Sequence, residues 1–219
     1  MPGRFNVANA LGALAAVHAI GGDLDVLLGA LGRGVRVPGR FEPVEEGQDF
    51  AVLVDYAHTP DSLENVLRAA RELSASGERG EGRVLCVFGA GGDRDRGKRP
   101  LMGEIAARLA DVALVSSDNP RSEDPEQIIA EIMAGVARVD RPAGAHPVRS
   151  IADRASAIAE GVALCDAGDV LVIAGKGHEQ GQELADGEKV PFDDVAVARE
   201  ALRARSSAPL AGRGAGARA

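Results

Sequence analysis

Four short runs of unbroken apolar residues punctuate the chain: 50–54, 84–88, 112–115 and 170–174. Each has strand length and no polar break, the pattern of a strand buried on both faces. His146-Pro147-Val148 reads as a further short strand. Between these runs the apolar spacing is helical. Thr59-Pro60-Asp61-Ser62 starts a helix to about Ser74, with Pro60 near its first position. Further helices are expected from Pro100 to Ala110, from Asp124 or Pro125 to about Val139, from Asp153 to about Leu164, and from Asp193 to about Arg203. Strand and helix alternate, which predicts an α/β fold: a Rossmann-like, mostly parallel sheet covered by helices.

The first residues differ in texture. Asn6 to Ile20 is an Ala/Leu-rich helix closed by Gly21-Gly22, and Asp23 caps a second helix through Leu31. Val37-Pro38-Gly39 is a break. Residues 1–37 are therefore expected to be a helical remnant of a preceding domain, and 38–205 the sheet domain. Residues 78–82 form a polar, Gly-rich loop. Residues 206–219 have no apolar period and should be a disordered tail.

Composition narrows the function. The 219 residues are 45% hydrophobic, enough for a core, but only 3% aromatic with no Trp, so that core is aliphatic. A net charge of −8 without a basic, aromatic-interleaved patch argues against a nucleic-acid partner. Cys86 and Cys165 lie in or beside apolar runs and read as small buried residues. No signal peptide is visible, and Ala8 to Ile20 is too short to span a bilayer. A cytoplasmic protein is expected.

The chemistry gathers after the strands. Asp55-Tyr56-Ala57-His58 follows the first apolar run, and Gly89 to Arg99 the second. Ser116-Ser117-Asp118-Asn119-Pro120-Arg121 follows the third, and Gly175-Lys176-Gly177-His178-Glu179 the last. Open α/β sheets bind ligands outside that end of their strands. Asp118 suits an ammonium, Arg121 a carboxylate, and Asn119 either one. Asp-Asn-Pro is also a common turn former. Gly92 to Lys98 has P-loop spacing, but Arg99 stands where Ser or Thr must hold magnesium, so it is not one. A dinucleotide fingerprint fails as well, because Arg94 occupies its third glycine position. This disfavours a nucleotide-dependent oxidoreductase. What remains is a loop presenting Arg94, Arg96, Lys98 and Arg99 to an anion. His178-Glu179 lacks the second His of a zinc helix, and no Ser-His-Asp or Cys-His set can be assembled.

Four ordered stretches resemble the Mur ligases: Val54-Asp55-Tyr56-Ala57-His58-Thr59-Pro60-Asp61, Gly91-Gly92-Asp93-Arg94-Asp95-x-Gly97-Lys98-Arg99-Pro100, Asp118-Asn119-Pro120-Arg121 and Gly175-Lys176-Gly177-His178-Glu179. The likeness is to the C-terminal domain of those that add meso-2,6-diaminopimelate to UDP-N-acetylmuramoyl-L-alanyl-D-glutamate. Gly3-Arg4-Phe5-Asn6-x-x-Asn9 resembles the end of that family's ATPase domain. The resemblance implies that Arg94, Asp118, Asn119, Pro120, Arg121, Gly175 and Glu179 belong to the diaminopimelate site. It implies that Asn6, Asn9, Arg40, Asp55 and His58 line ATP. In the family, ATP activates the D-glutamate side chain as an acyl phosphate and the diamino acid's amine attacks it, a step of peptidoglycan synthesis. ATP and Mg2+ are thus implied, with the UDP-MurNAc-dipeptide as third partner and a monomer as the expected state. The family's P-loop, metal ligands, carbamylated lysine and UDP-sugar domain all lie upstream of the matched motifs. The chain is therefore expected to be a C-terminal piece that positions the amine, with none of its residues cast as acid, base or nucleophile, and to turn over no ATP alone. A binding-only orphan is the alternative.

Overall fold

A computed structural model describes residues 4–32, 37–75, 82–142 and 146–207. The element order is α1 (Arg4–Ala19), α2 (Leu24–Gly32), β1 (Glu42–Pro43), β2 (Ala51–Asp55), α3 (Pro60–Ala75), β3 (Val84–Phe88), α4 (Lys98–Leu109), β4 (Val112–Val115) and α5 (Pro125–Val136). Then follow β5 (Arg149–Ser150), α6 (Arg154–Leu164), β6 (Val170–Ala174), β7 (Gly181–Glu183), β8 (Lys189–Pro191) and α7 (Asp194–Ser207).

The main sheet has the order β1-β2-β6-β3-β4-β5. All its neighbours pair in parallel except β1, which runs antiparallel to β2. Alternate residues of each strand feed two cores. Leu53, Cys86, Phe88, Ala113, Val115 and Val172 face α3, α4 and α5, where Leu63, Leu67, Met102, Ile105 and Ile132 meet them. Val52, Val54, Leu85, Val87, Leu114, Leu171 and Ile173 face α6 and α7, with Ile158, Val162, Ala198 and Leu202. Burial on both faces is why these strands read as continuous apolar runs.

β6 lies between β2 and β3. The helix after β3 packs on one face, and the helix after β6 packs on the other. The loops leaving these neighbours therefore part, and a crevice opens at the strands' C-terminal ends.

The helix starts follow their caps. Asp23, Asp124, Asp153 and Asp193 each accept backbone N–H groups of the turn they open. At the end of α1, Gly22 N–H reaches Val17 O and Gly21 N–H reaches His18 O, with Gly21 at φ 87, a Schellman closure.

Several expectations are corrected. The short strand expected at 146–148 forms at Arg149–Ser150, paired to Leu114 and Val115. Both its residues are exposed, so no burial pattern located it. The first buried strand runs 51–55 rather than 50–54, and α4 begins at Lys98 rather than Pro100. Pro100 still falls in the first turn, where its missing N–H costs nothing. β1, β7 and β8 were not expected; they are short and at best half-buried. α7 continues to Ser207, into the stretch expected to be disordered. Arg205 holds that end, donating to Val162 O and Cys165 O and lying 4.8 Å over the Phe50 ring. The rest of the expected tail, 208–219, and most of the expected loop at 78–82 lie outside the described residues.

Candidate functional site

The crevice is assembled by three loops lying backbone to backbone. Gly92 N–H donates to Asn119 O at 2.9 Å. A Cβ on Gly92 would fall 1.8 Å from Pro120 O, so the loop after β3 touches the loop after β4 only because residue 92 is glycine. Gly175, at the end of β6, has φ 124, and a Cβ there would lie 2.6 Å from Asp118 Oδ2. The loop after β6 thus also needs glycine where it meets Asp118.

These contacts gather Arg94, Asp118, Asn119, Arg121, Gly175 and Glu179 around one cavity of about 360 Å3, with Tyr56, His58 and Lys98 on its wall. Asp118 and Asn119 are buried, Glu179 is half-buried and Arg94 is exposed. Pro120 is buried but lines no part of this cavity; its carbonyl accepts Glu123 N–H at 3.1 Å and shapes the turn. Arg121 holds a left-handed φ of 51, costly for a residue with a Cβ. It is pinned there: its N–H donates to Glu183 O, its Nε to Glu183 Oε2 at 2.9 Å, and its Nη1 to Gly92 O at 2.8 Å.

A second cavity, about 430 Å3, is lined by Asn6, Asn9, Val37, Arg40, Asp55, Ser62, Asn65 and Val66. It joins four residues expected at the nucleotide. The fifth, His58, lines the first cavity instead, its Nδ1 2.8 Å from Tyr56 O. Asp55 ends β2, and its carboxylate accepts Phe41 N–H at 2.7 Å and Ala57 N–H at 2.8 Å. Burial pushes its pKa up, against the pull of those hydrogen bonds and Arg40. Arg40 lies 4.9 Å over the Tyr56 ring, so Tyr56 sits between the two cavities.

The expected basic anion loop is mostly neutralised. Arg99 is fully buried and donates to Glu123 at 2.7 and 2.8 Å and to Glu131 at 2.8 Å. Arg96 pairs with Glu131. Lys98 donates to His58 O at 2.8 Å, and burial draws its pKa down. Only Arg94 and Lys98 reach the cavity. Sequence spacing could not separate these cations, because their partners Glu123 and Glu131 come from α5 and the turn before it.

Three polar groups at the site had no assigned role. Lys176 is buried beneath it, Gln182 Nε2 donates to Asp118 O at 2.6 Å, and Glu183 pairs with Arg121. Lys176 lies inside the Gly175–Glu179 motif, where its spacing gave it no role. Gln182 and Glu183 belong to a half-exposed hairpin that carries no apolar signal.

Fold and site together define a parallel α/β domain with a polar ligand crevice at the C-terminal ends of its strands. Residues 39–177 match the model of the Mur ligase, glutamate ligase domain, and the chain belongs to that family. Among curated relatives it is 52% identical over 203 residues to the UDP-N-acetylmuramoyl-L-alanyl-D-glutamate--2,6-diaminopimelate ligase of Syntrophomonas wolfei, covering 93% of this chain and 39% of that protein. It is 52% identical over 207 residues to the enzyme of the same name from Synechococcus elongatus, covering 94% and 39%. A solved structure of a ligase of that name superposes with a TM-score of 0.68 at 39% identity, covering 95% of this chain and 40% of the other. The chain thus spans about two fifths of the length of these relatives.

Proposed function

We propose that this chain is the amino-acid-binding part of a ligase that uses ATP to join meso-diaminopimelate to UDP-N-acetylmuramoyl-L-alanyl-D-glutamate. In this reading residues 38–205 are the C-terminal domain and 1–37 the end of the ATP-binding domain before it. One observation carries the proposal: a single cavity holds Asp118 and Glu179 beside Arg94 and Arg121. The two carboxylates suit an ammonium and the two guanidiniums a carboxylate, the paired groups of an amino-acid centre. Diaminopimelate has two such centres and lysine one. An extra carboxylate at the side-chain end is the feature Arg121 would read.

The neighbouring cavity supports an adjoining nucleotide. Asn6 and Asn9 offer amide donors and acceptors, and Arg40 a cation, to the side of ATP facing this domain. His58, on the wall of the first cavity, would face the amino acid. Among the described residues no group of three His, Cys, Asp or Glu is placed to hold a metal. These residues thus offer no all-protein metal cage; a Mg2+ ion on ATP would be held mainly by phosphates and one or two carboxylates. The contribution of this chain is to hold the attacking amine still, which removes the entropic cost of bringing the reactants together.

Calorimetric titration of the 219-residue chain with meso-diaminopimelate and with L-lysine tests the reading. A charge-assisted hydrogen bond contributes about 1.5–3 kcal/mol, so diaminopimelate should bind roughly tenfold tighter or more. No binding, or equal affinities, would overturn it. Given ATP, the same chain should release no phosphate above background.

A further inference from the structure

Lys176 has the least accessible side chain at the site, 0% exposed, and the roles above do not use it. It follows β6 after Gly175 and lies beneath the cavity, outside its lining. Its Nζ donates to Asn119 Oδ1 at 2.8 Å, with Glu179 Oε2 at 3.3 Å and Asp118 Oδ1 at 3.5 Å. Asn119 Oδ1 also accepts Glu183 N–H at 2.9 Å.

An ammonium and a backbone N–H can only donate. The atom facing both must be the amide oxygen, and these two bonds use both its lone pairs. The Asn119 amide is therefore held in one of its two orientations. Nδ2 donates one hydrogen to Glu179 Oε2 at 2.9 Å and keeps the other. A free asparagine could read an ammonium or a carboxylate; this one has no acceptor left.

We infer that Lys176 is a positioning residue that, together with the Glu183 N–H, fixes the polarity of Asn119, so that Asn119 meets a ligand only as a hydrogen-bond donor and reads the second carboxylate, which lysine lacks. The inference rests on the diamino-acid reading for the ligand, but the hold on the amide stands without it. Lys176 also supplies the buried positive charge that lets Asp118 and Glu179 sit side by side.

The experiment compares the full chain with Lys176→Met, which keeps most of the aliphatic stem, and with Asn119→Asp, which keeps the buried lysine's partner but removes the donor. In the wild type the Asn119 side-chain carbonyl carbon should resonate downfield, as expected of an amide oxygen that accepts two hydrogen bonds. In Lys176→Met it should move upfield, because the oxygen loses its charged donor. Preference for meso-diaminopimelate over L-lysine should fall about tenfold in either variant, the worth of one hydrogen bond to a charged group. In an Asn119→Ala background, Lys176→Met should cost no further preference, whereas a general structural role would add its own loss. Unchanged Asn119 resonances in a folded Lys176→Met chain would overturn the inference. So would an unchanged preference in Asn119→Asp, which decides the matter should Lys176→Met not fold. A wild-type chain that ignores diaminopimelate would sink the ligand assignment alone, since the resonances are read without ligand.

Discussion

Arg121 has Nε on Glu183 and Nη1 on the Gly92 carbonyl, and among the described residues Nη2 has no acceptor. The guanidinium is aimed before any ligand arrives, and its left-handed backbone is held by the same hairpin. Glu183 also changes the specificity argument. Were Arg121 unpaired, a ligand with only an ammonium at that end, such as lysine, would strand a charge. With Glu183 present it strands nothing, so discrimination comes from what a carboxylate gains at Nη2. In an intact ligase carrying this domain, Arg121→Ala should therefore cut kcat/KM for meso-diaminopimelate by tens-fold and barely change it for lysine. The loss of a buried charge-assisted pair costs about 2–5 kcal/mol. Arg121 is 20% exposed, which places the effect toward the lower end. Equal losses for both amino acids would make Arg121 scaffolding for the turn. The left-handed backbone and Glu183 were invisible beforehand, because neither follows from residue type or spacing.

The two helices behind the site, α6 and α7, are joined by one buried ion pair. Arg154 Nε and Nη2 meet the two Asp194 oxygens at 2.8 Å each, and Nη2 also donates to Ala174 O at 3.0 Å. Both side chains are fully buried. The pair ties the start of each helix to the end of β6, the strand that delivers Gly175 and Lys176. Arg154→Met would leave Asp194 buried and unpaired, a loss of about 3–5 kcal/mol in urea unfolding. The double change Arg154→Met with Asp194→Leu should recover much of it, since apolar replacement of a whole buried pair is often neutral. Additive losses would mean that the pair is not the cause. Such pairings explain where element-level reading stopped. Helices α3, α5 and α6 and all four buried strands were visible as runs and caps. The hairpin β7–β8 was not, because its half-exposed residues show no period, and its place is set by contacts with the turn at 118–121.

Across the whole molecule the acid response should be led by α4 and the turn into α5. Arg99 holds the Glu123 carboxyl at about 2, well under its ordinary 4.5. A depressed carboxylate stabilises the fold above its unfolded value, and that contribution drains as pH falls from about 4.5 through about 2. Thermal midpoints measured from pH 6 to pH 2 should drop more steeply for the wild type than for Glu123→Gln; parallel curves would show that the pair contributes no linkage. At the N-terminus, α1, α2 and the turn between them expose Val7, Leu11, Ile20, Val26 and Leu28, yet Asn6 and Asn9 still reach the cavity that holds Arg40 and Asp55. By itself the sequence determined the parallel, doubly covered sheet, because burial on both faces demands unbroken apolar strands. It also placed the polar groups at one end of those strands, because each motif follows its strand directly. Tertiary structure alone decided which charges are spent and which are offered. Arg99, Arg96 and Arg94 look alike along the chain, but only packing brings Glu123 and Glu131 to the first two. Asn119 could face either way until Lys176 and the Glu183 N–H, 57 and 64 positions further on, took its oxygen.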